Sequence, residues 1–258
     1  MPVRRPLHKD ARTSTIIGQE ALRLFTPILA GATSRDRILS CIGAVIGIGI
    51  TAFVCHRLSA AGVFTPFLVA PMGASAVLLF AVPASPLAQP WAIIGGNSLS
   101  ALTGIIVFRL VPDPVIAGAL AVGLAIGVMS LCRCLHPPGG AAALTAVLGG
   151  PAVAASGIAF AFAPVALNSI LLVLAGLLFH RFSGHSYPHV AAPVGGQKVP
   201  APLPVQPSAF TRADIDMALA DYGEALDVSR DDLDLLLHYA EAHAMERHAP
   251  AIGPDQVK

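Results

Sequence analysis

The sequence predicts an all-α polytopic membrane protein of about six transmembrane segments, arranged as two internal, inverted repeats with broken half-helices, plus a short cytosolic helical tail. Three observations lead there. Of the 258 residues, 55% are hydrophobic and 12% charged, with a mean hydropathy of +0.71, so the chain has more apolar surface than a water-soluble globule encloses. The formal net charge of +1 hides a partition. Of fifteen acidic residues, three lie at or before Asp36, eleven at or after Asp214, and only Asp113 between. Finally, proline and glycine interrupt two of the apolar runs in matching strings. The near-neutral balance excludes a polybasic nucleic-acid binder.

Residues 1–37 hold seven Lys or Arg and no apolar run of signal-peptide length. They read as a cytosolic basic arm, with Ile16 to Ala30 suited to an amphipathic helix at the interface. The membrane domain, 38–182, follows with apolar segments at roughly 38–57, 64–82, 91–111, 115–135, 137–158 and 162–182. The first, third, fourth and sixth run about 20 residues, enough to cross ~30 Å of hydrocarbon. The second and fifth are broken, and their clean apolar parts, Pro71 to Val82 and Pro138 to Leu148, reach about half-way across. Seven basic residues in the arm and six after Phe179, against almost none in the inter-helical loops, place both termini in the cytoplasm of a cell inner (plasma) membrane.

Residues 183–207 are a linker rich in proline, valine and glycine, and 208–258 form the tail. Thr211 to Asp214 and Ser229 to Asp232 are helix-capping strings, and Ile215, Leu219, Tyr222, Leu233, Leu236 and Leu237 supply two apolar faces. At ~40 residues this piece has too little core to stand alone. It is expected to pack on the cytosolic face of the membrane domain or on its copy in a neighbouring subunit. Cys41, Cys55, Cys132 and Cys134 make no disulfide framework. Cys132 and Cys134 with His136 fall short of a four-ligand metal set, and His238, His243 and His248 read as exposed helix residues, so no metal or cofactor is expected.

The two repeats, 38–111 and 115–182, show when the membrane region is laid on itself. Pro71-Met-Gly-Ala-Ser-Ala-Val77 aligns with Pro138-Gly-Gly-Ala-Ala-Ala-Leu144. Asn97-Ser98 matches Asn168-Ser169, Phe108 matches Phe179, and Gly43 with Gly47 matches Gly123 with Gly127, a spacing that lets helices pack closely. A helix that begins inside the membrane exposes unpaired N–H groups and the positive end of its dipole. Proline at the start removes one orphan donor, and small residues behind it let a ligand reach the others. Pro71, Met72, Gly73, Ala74 and Ser75 on one side, and Pro137, Pro138, Gly139, Gly140 and Ala141 on the other, thus point to a small-anion site. Asn97, Asn168 and Thr145 are neutral partners for it. His136, before a double proline, either binds the anion, carries a proton, or is satisfied by a carbonyl that the prolines free. The plainer alternative is that the prolines merely kink two spans and the glycines permit tight packing.

At His136-Pro137-Pro138 the sequence resembles the HPP family of integral membrane proteins. The resemblance runs from about Phe25 to Arg181 and includes Ala70-Pro-Met-Gly-Ala-Ser-Ala-Val77, Ser85-Pro-Leu-Ala-Gln-Pro-Trp91 and His136-Pro-Pro-Gly-Gly-Ala-Ala-Ala-Leu144. Plastid and cyanobacterial members are associated with nitrite transport, so the resemblance implies a transporter or channel for a small monovalent anion, nitrite first. Residues 210–248 also look like the linker that leads into paired CBS domains in longer bacterial relatives, and Lys258 arrives before such a module fits. The expected partners are the anion, the lipid bilayer and further copies of the chain in a homo-oligomer, with no nucleic acid. Two alternatives stand beside this: a facilitator of a neutral species such as nitrous acid, and a membrane anchor or sensor organising the tail. An enzyme is not expected, since the spans lack H-E-x-x-H, paired carboxylates and a Ser, His and acid set.

Overall fold

The computed structural model describes residues 34–60, 62, 68–190, 210–222 and 227–248. The basic arm and its Ile16 to Ala30 stretch lie outside the described residues. Among those described there are helices and no strands. The membrane domain comprises α1 (Ser34–Ala60), α2 (Pro71–Ala81), a 3-10 turn (Pro86–Ala88), α3 (Pro90–Leu110), α4 (Pro114–Leu131), α5 (Pro138–Leu148), α6 (Gly150–Ser156) and a π-helical turn (Ala161–Ala166) running into α7 (Leu167–Ser183). The tail supplies α8 (Arg212–Tyr222) and α9 (Arg230–His248).

Side-chain distribution identifies the solvent. Val45, Phe53, Val115, Leu131 and Phe182 are 68–86% exposed, whereas Thr51, Ser75, Asn97, Ser100, His136, Asn168 and Ser169 are fully buried. Polar inside and apolar outside is the arrangement of a chain surrounded by lipid. Four helices, Ser34–Ala60, Pro90–Leu110, Pro114–Leu131 and Ala161–Ser183, are long and apolar enough to cross a membrane. The segment expected at 137–158 is not straight. It breaks by 95° between Pro138–Leu148 and Gly150–Ser156, because Gly149-Gly150-Pro151 cannot continue a helix and Gly150 takes a φ of +79°. The second segment is helical only over Pro71–Ala81, at ~1.5 Å per residue about 16 Å of rise.

Both short helices begin where the prolines predict, with proline at the first helical position. Each packs alongside a long helix from the other half of the chain. Val69 and Met72 meet Asn168 and Ser169, and Leu79 meets Gly176 and His180, so α2 and α7 run in the same direction. Likewise Gly96 meets His136, Ser100 meets Gly139, and Gly104 meets Ala143 and Ala146, so α5 runs with α3. The contacts are close: a Cβ on Gly104 would stand 2.5 Å from the Ala143 carbonyl oxygen. In lipid, such packing and buried hydrogen bonds hold helices together, because apolar burial alone does not favour one helix contact over another.

The start of α3 and the end of α7 lie on one face, where the Tyr187 hydroxyl donates to the Ala88 carbonyl at 2.9 Å and the His189 backbone N–H to Gln89 Oε1 at 2.9 Å. The two long helices are therefore antiparallel, and α2 and α5 point in opposite directions. Of the two glycine pairs, Gly43 and Gly47 seat the Phe80 ring, whereas Gly123 and Gly127 have no neighbour within 4 Å of an added Cβ. Phe179 packs edge-on to Phe80 at 5.5 Å while Phe108 is 41% exposed, so the matched phenylalanines have different surroundings.

The tail docks on that same face. Its caps form as expected, with the Asp232 N–H donating to Ser229 Oγ and the Thr211 N–H to Asp214 Oδ2. The Ser85 hydroxyl donates to Asp227 Oδ1 at 2.8 Å, and His189 Nε2 to the Asp232 carboxylate at 2.8 and 3.0 Å. Burial alone raises the Asp232 carboxyl, but the Ser229 hydroxyl and the bond and charge of His189 outweigh it and hold it below its ordinary value. A depressed carboxyl contributes docking stability that is complete above its undocked value and lost as pH falls through the docked one. Hydrogen exchange of the α9 amides is expected to stay slow at pH 7 and 5 and to accelerate only below pH ~4. Acceleration already at pH 6 would exclude the carboxylate as the tether.

Candidate functional site

The site is built where the starts of α2 and α5 meet α3. Its key turn follows α4. Arg133, at φ +54°, is the positive-φ residue other than glycine among the described residues, and the Cys134 N–H donates to the Met129 carbonyl at 2.9 Å, closing the helix end as a Schellman turn. Trp91 Nε1 donates to the Cys132 carbonyl at 3.1 Å and anchors this turn to the start of α3. His136 then enters the bundle, held by the double proline behind it.

The imidazole is fully buried between two partners. Nδ1 lies 2.8 Å from the Leu87 carbonyl, and Nε2 lies 2.8 Å from Ser75 Oγ. A carbonyl only accepts, so Nδ1 carries a proton and the neutral ring accepts from the Ser75 hydroxyl through Nε2. Ser75 Oγ receives a bond from Asn97 Nδ2 at 3.1 Å, and Nδ2 donates its other proton to Ser169 Oγ at 3.3 Å. The Ser169 hydroxyl donates to the Val165 carbonyl at 2.9 Å, with Met72 Sδ at 3.8 Å. Because both serine protons are committed elsewhere, both hydroxyls must accept from Asn97, which fixes its amide orientation.

One edge is left over. Asn97 Oδ1 is buried without a partner, and so is the hydroxyl of Ser100, one turn further along α3. Leaving two such groups dry costs about 1–3 kcal/mol each. Gly139 backs directly against Ser100, since a Cβ there would stand 2.7 Å from Ser100 Oγ and 3.0 Å from the Gly96 carbonyl oxygen.

The expected donors take a different form. The Met72 and Gly73 N–H groups donate to the carbonyls of Val69 and Ala70, and those of Gly139 and Gly140 to His136 and Pro137, at 2.8–3.1 Å. Ala70 and Pro137 already have helical angles, so each helix starts with a tight turn that consumes the N–H groups expected to face an anion. The site's open polar atoms come from side chains of α3.

The predicted residues divide accordingly. Ser75, Asn97 and His136 are joined by hydrogen bonds, with Met72 and Gly139 against them and Pro71 and Pro138 buried at the two helix starts. Asn168 serves the backbone instead: its Oδ1 accepts from the Val69 N–H at 3.0 Å and its Nδ2 reaches Cys55 Sγ at 3.0 Å. Thr145 bonds its own helix at the Ala141 carbonyl. Gly73, Ala74, Pro137 and Ala141 are exposed, and Gly140 is half-exposed towards Val122. Ser100 and the Leu87 carbonyl were not predicted. Ser100 lies three residues after Asn97, a helical spacing that puts both on one face.

Four helices long and apolar enough to cross a membrane, an apolar exterior and a buried neutral hydrogen-bond chain define a multi-pass integral membrane protein. The chain belongs to the HPP family: the family model "HPP, transmembrane region" matches residues 29–188. Two transmembrane proteins of Dictyostelium discoideum are similar to it. One is 37% identical over 152 residues, covering 57% of this chain and 53% of the relative. The other is 38% identical over 148 residues, covering 56% and 47%. The chain thus spans about half the length of these relatives. No solved structure matches it.

Proposed function

We propose that the chain is a transporter or channel for a small monovalent oxyanion, nitrite first, in a cell inner membrane with both termini cytoplasmic, and that the solute passes the site with a proton. The observation that carries this is the unpartnered pair on α3, Asn97 Oδ1 and the Ser100 hydroxyl, at the meeting of the two half-helix starts. An amide oxygen accepts and a hydroxyl donates, so the pair complements an undissociated oxyacid, whose O–H bonds Asn97 and whose second oxygen accepts from Ser100. A bare anion facing Asn97 Oδ1 meets lone pair against lone pair. The antiparallel α3 and α7, each carrying the other half's short helix, support an inverted repeat of the kind that places substrate near the midplane.

The test is uptake of nitrite into proteoliposomes. His136→Ala is expected to lower uptake at least ~10-fold, since truncation unpairs the Ser75 hydroxyl that orders Asn97. Gly123→Ala, whose added Cβ meets nothing within 4 Å, serves as the control and keeps the wild-type rate. Wild-type rates for His136→Ala would remove the cluster from the pathway.

A further inference from the structure

Asn97 has one amide edge inside the hydrogen-bond chain and one open edge, its buried and unpartnered oxygen, on the helix face that also carries the unpartnered Ser100 hydroxyl. What the open edge offers is dictated by His136, two bonds away. With the ring neutral, Ser75 donates to Nε2, Asn97 must donate to Ser75, and its oxygen faces outwards. A proton on Nε2 reverses this order. Nδ1 stays bound to the Leu87 carbonyl, Nε2 now donates to Ser75 Oγ, and the Ser75 proton needs a new acceptor. The nearest polar group of that chain is the Asn97 amide at 3.1 Å, and a half-turn of the amide supplies its oxygen. The Ser169 hydroxyl, which donates to the Val165 carbonyl while the ring is neutral, turns to donate to the same amide oxygen. The open edge has then become an NH2 group, two donors beside the Ser100 hydroxyl.

We infer that His136, Ser75 and Asn97 form a polarity switch that lets the site hold a weak acid only as anion plus one proton. This rests on the transport reading above and names the groups that hold the proton. When the solute carries the proton, the neutral ring presents an acceptor to its O–H. When His136 carries it, the reversed chain presents donors to the anion. Both states contain the same atoms and the same net charge; only the proton's position differs. Every group around the ring is consistent with this. α2 contributes Ser75, the 3-10 turn the Leu87 carbonyl, and α3 Gly96 and Asn97, none of which titrates. The ring's own segment contributes the buried Cys134 thiol and the exposed Arg133. Ser75 is the positioning residue, since it touches His136 and Asn97 and relays the state of one to the other.

The test reads His136 itself, by 15N resonances of histidine-labelled, purified full-length protein titrated with pH in the presence and absence of sodium nitrite, alongside nitrite binding by calorimetry. An anion that binds the protonated state must raise the protonation midpoint, by reciprocity of linkage. The expected result is a rise of at least one pH unit, with nitrite binding about tenfold tighter for each unit of pH lowered across the transition. Ser75→Ala is expected to bind nitrite about tenfold more weakly, with the midpoint unmoved by the binding that remains. Nitrite binding in the wild type that leaves the His136 midpoint in place overturns the switch and spares the transport reading. A wild type that binds no nitrite at any pH overturns both. A midpoint that rises equally in Ser75→Ala shows a through-space effect of charge and overturns the relay.

Discussion

Gly96→Ala is expected to abolish uptake and to destabilise the protein by about 2 kcal/mol, although alanine is the better helix former by about 1 kcal/mol. The added methyl would stand 2.5 Å from the His136 Cβ and 2.7 Å from the Cys134 carbonyl oxygen. Neither neighbour can yield. The carbonyl belongs to a turn closed by the Cys134 to Met129 bond and anchored by Trp91, and His136 is pinned at both ring nitrogens and followed by two prolines. Relief comes only by moving α3 away from the turn, which pulls Asn97 from its 3.1 Å contact with Ser75 and removes the ordering of its amide. Gly49→Ala, with no atom within 4 Å of the new Cβ, separates this from the general effect of alanine and is expected to leave the thermal midpoint unchanged or slightly raised. An unshifted midpoint for Gly96→Ala would mean that the turn is looser than these contacts imply.

Asn97→Leu is expected to lose uptake completely while changing stability by less than about 1 kcal/mol. The substitution removes two hydrogen bonds, worth about 1 kcal/mol each, and also removes a buried oxygen that has no partner, whose desolvation costs about 1–3 kcal/mol. The two effects oppose one another, and leucine has the same number of side-chain heavy atoms with the same branching at Cγ. Retention of fold with loss of function marks a residue kept for a guest. The contrasting case is Asn168, fully satisfied by Val69 and Cys55. Asn168→Leu is expected to lower the thermal midpoint, because it leaves the Val69 N–H buried and unpaired. A large stability loss in Asn97→Leu would reassign Asn97 to the framework.

Local features were legible in the sequence because they depend on a residue and its immediate neighbours. Proline at the first helical position marked Pro71 and Pro138 as starts, and the Ser229 and Thr211 strings marked the tail helices. The string of small residues around Pro138 marked the region where His136, Ser75 and Asn97 meet. What escaped depends on which surfaces meet. The end of the fifth segment's clean part at Leu148 is legible, but not the 95° turn into Gly150–Ser156, because hydropathy does not register backbone angle. Asn97 and Asn168 align in sequence yet face different partners, since each half-helix packs beside the long helix of the other half. A helix that begins at its proline leaves the orphan N–H groups free, whereas Ala70 and Pro137 extend the helical turn backwards and consume them. Ser100 carried no signal beyond its i+3 spacing from Asn97, and its role follows only from the absence of any partner in the packed bundle.

The paired movement of anion and proton is tested most directly in proteoliposomes that hold wild-type protein and a trapped pH indicator, offered nitrite, nitrate, formate or chloride. The arrangement of Asn97, Ser100 and His136 predicts that nitrite and formate enter, that the lumen acidifies by one proton per anion, and that the rate is insensitive to an imposed membrane potential. Chloride, with no oxygen to carry the proton to Asn97, should not enter. Nitrite entry that follows the membrane potential without acidification, or entry of chloride at the same rate, would contradict it.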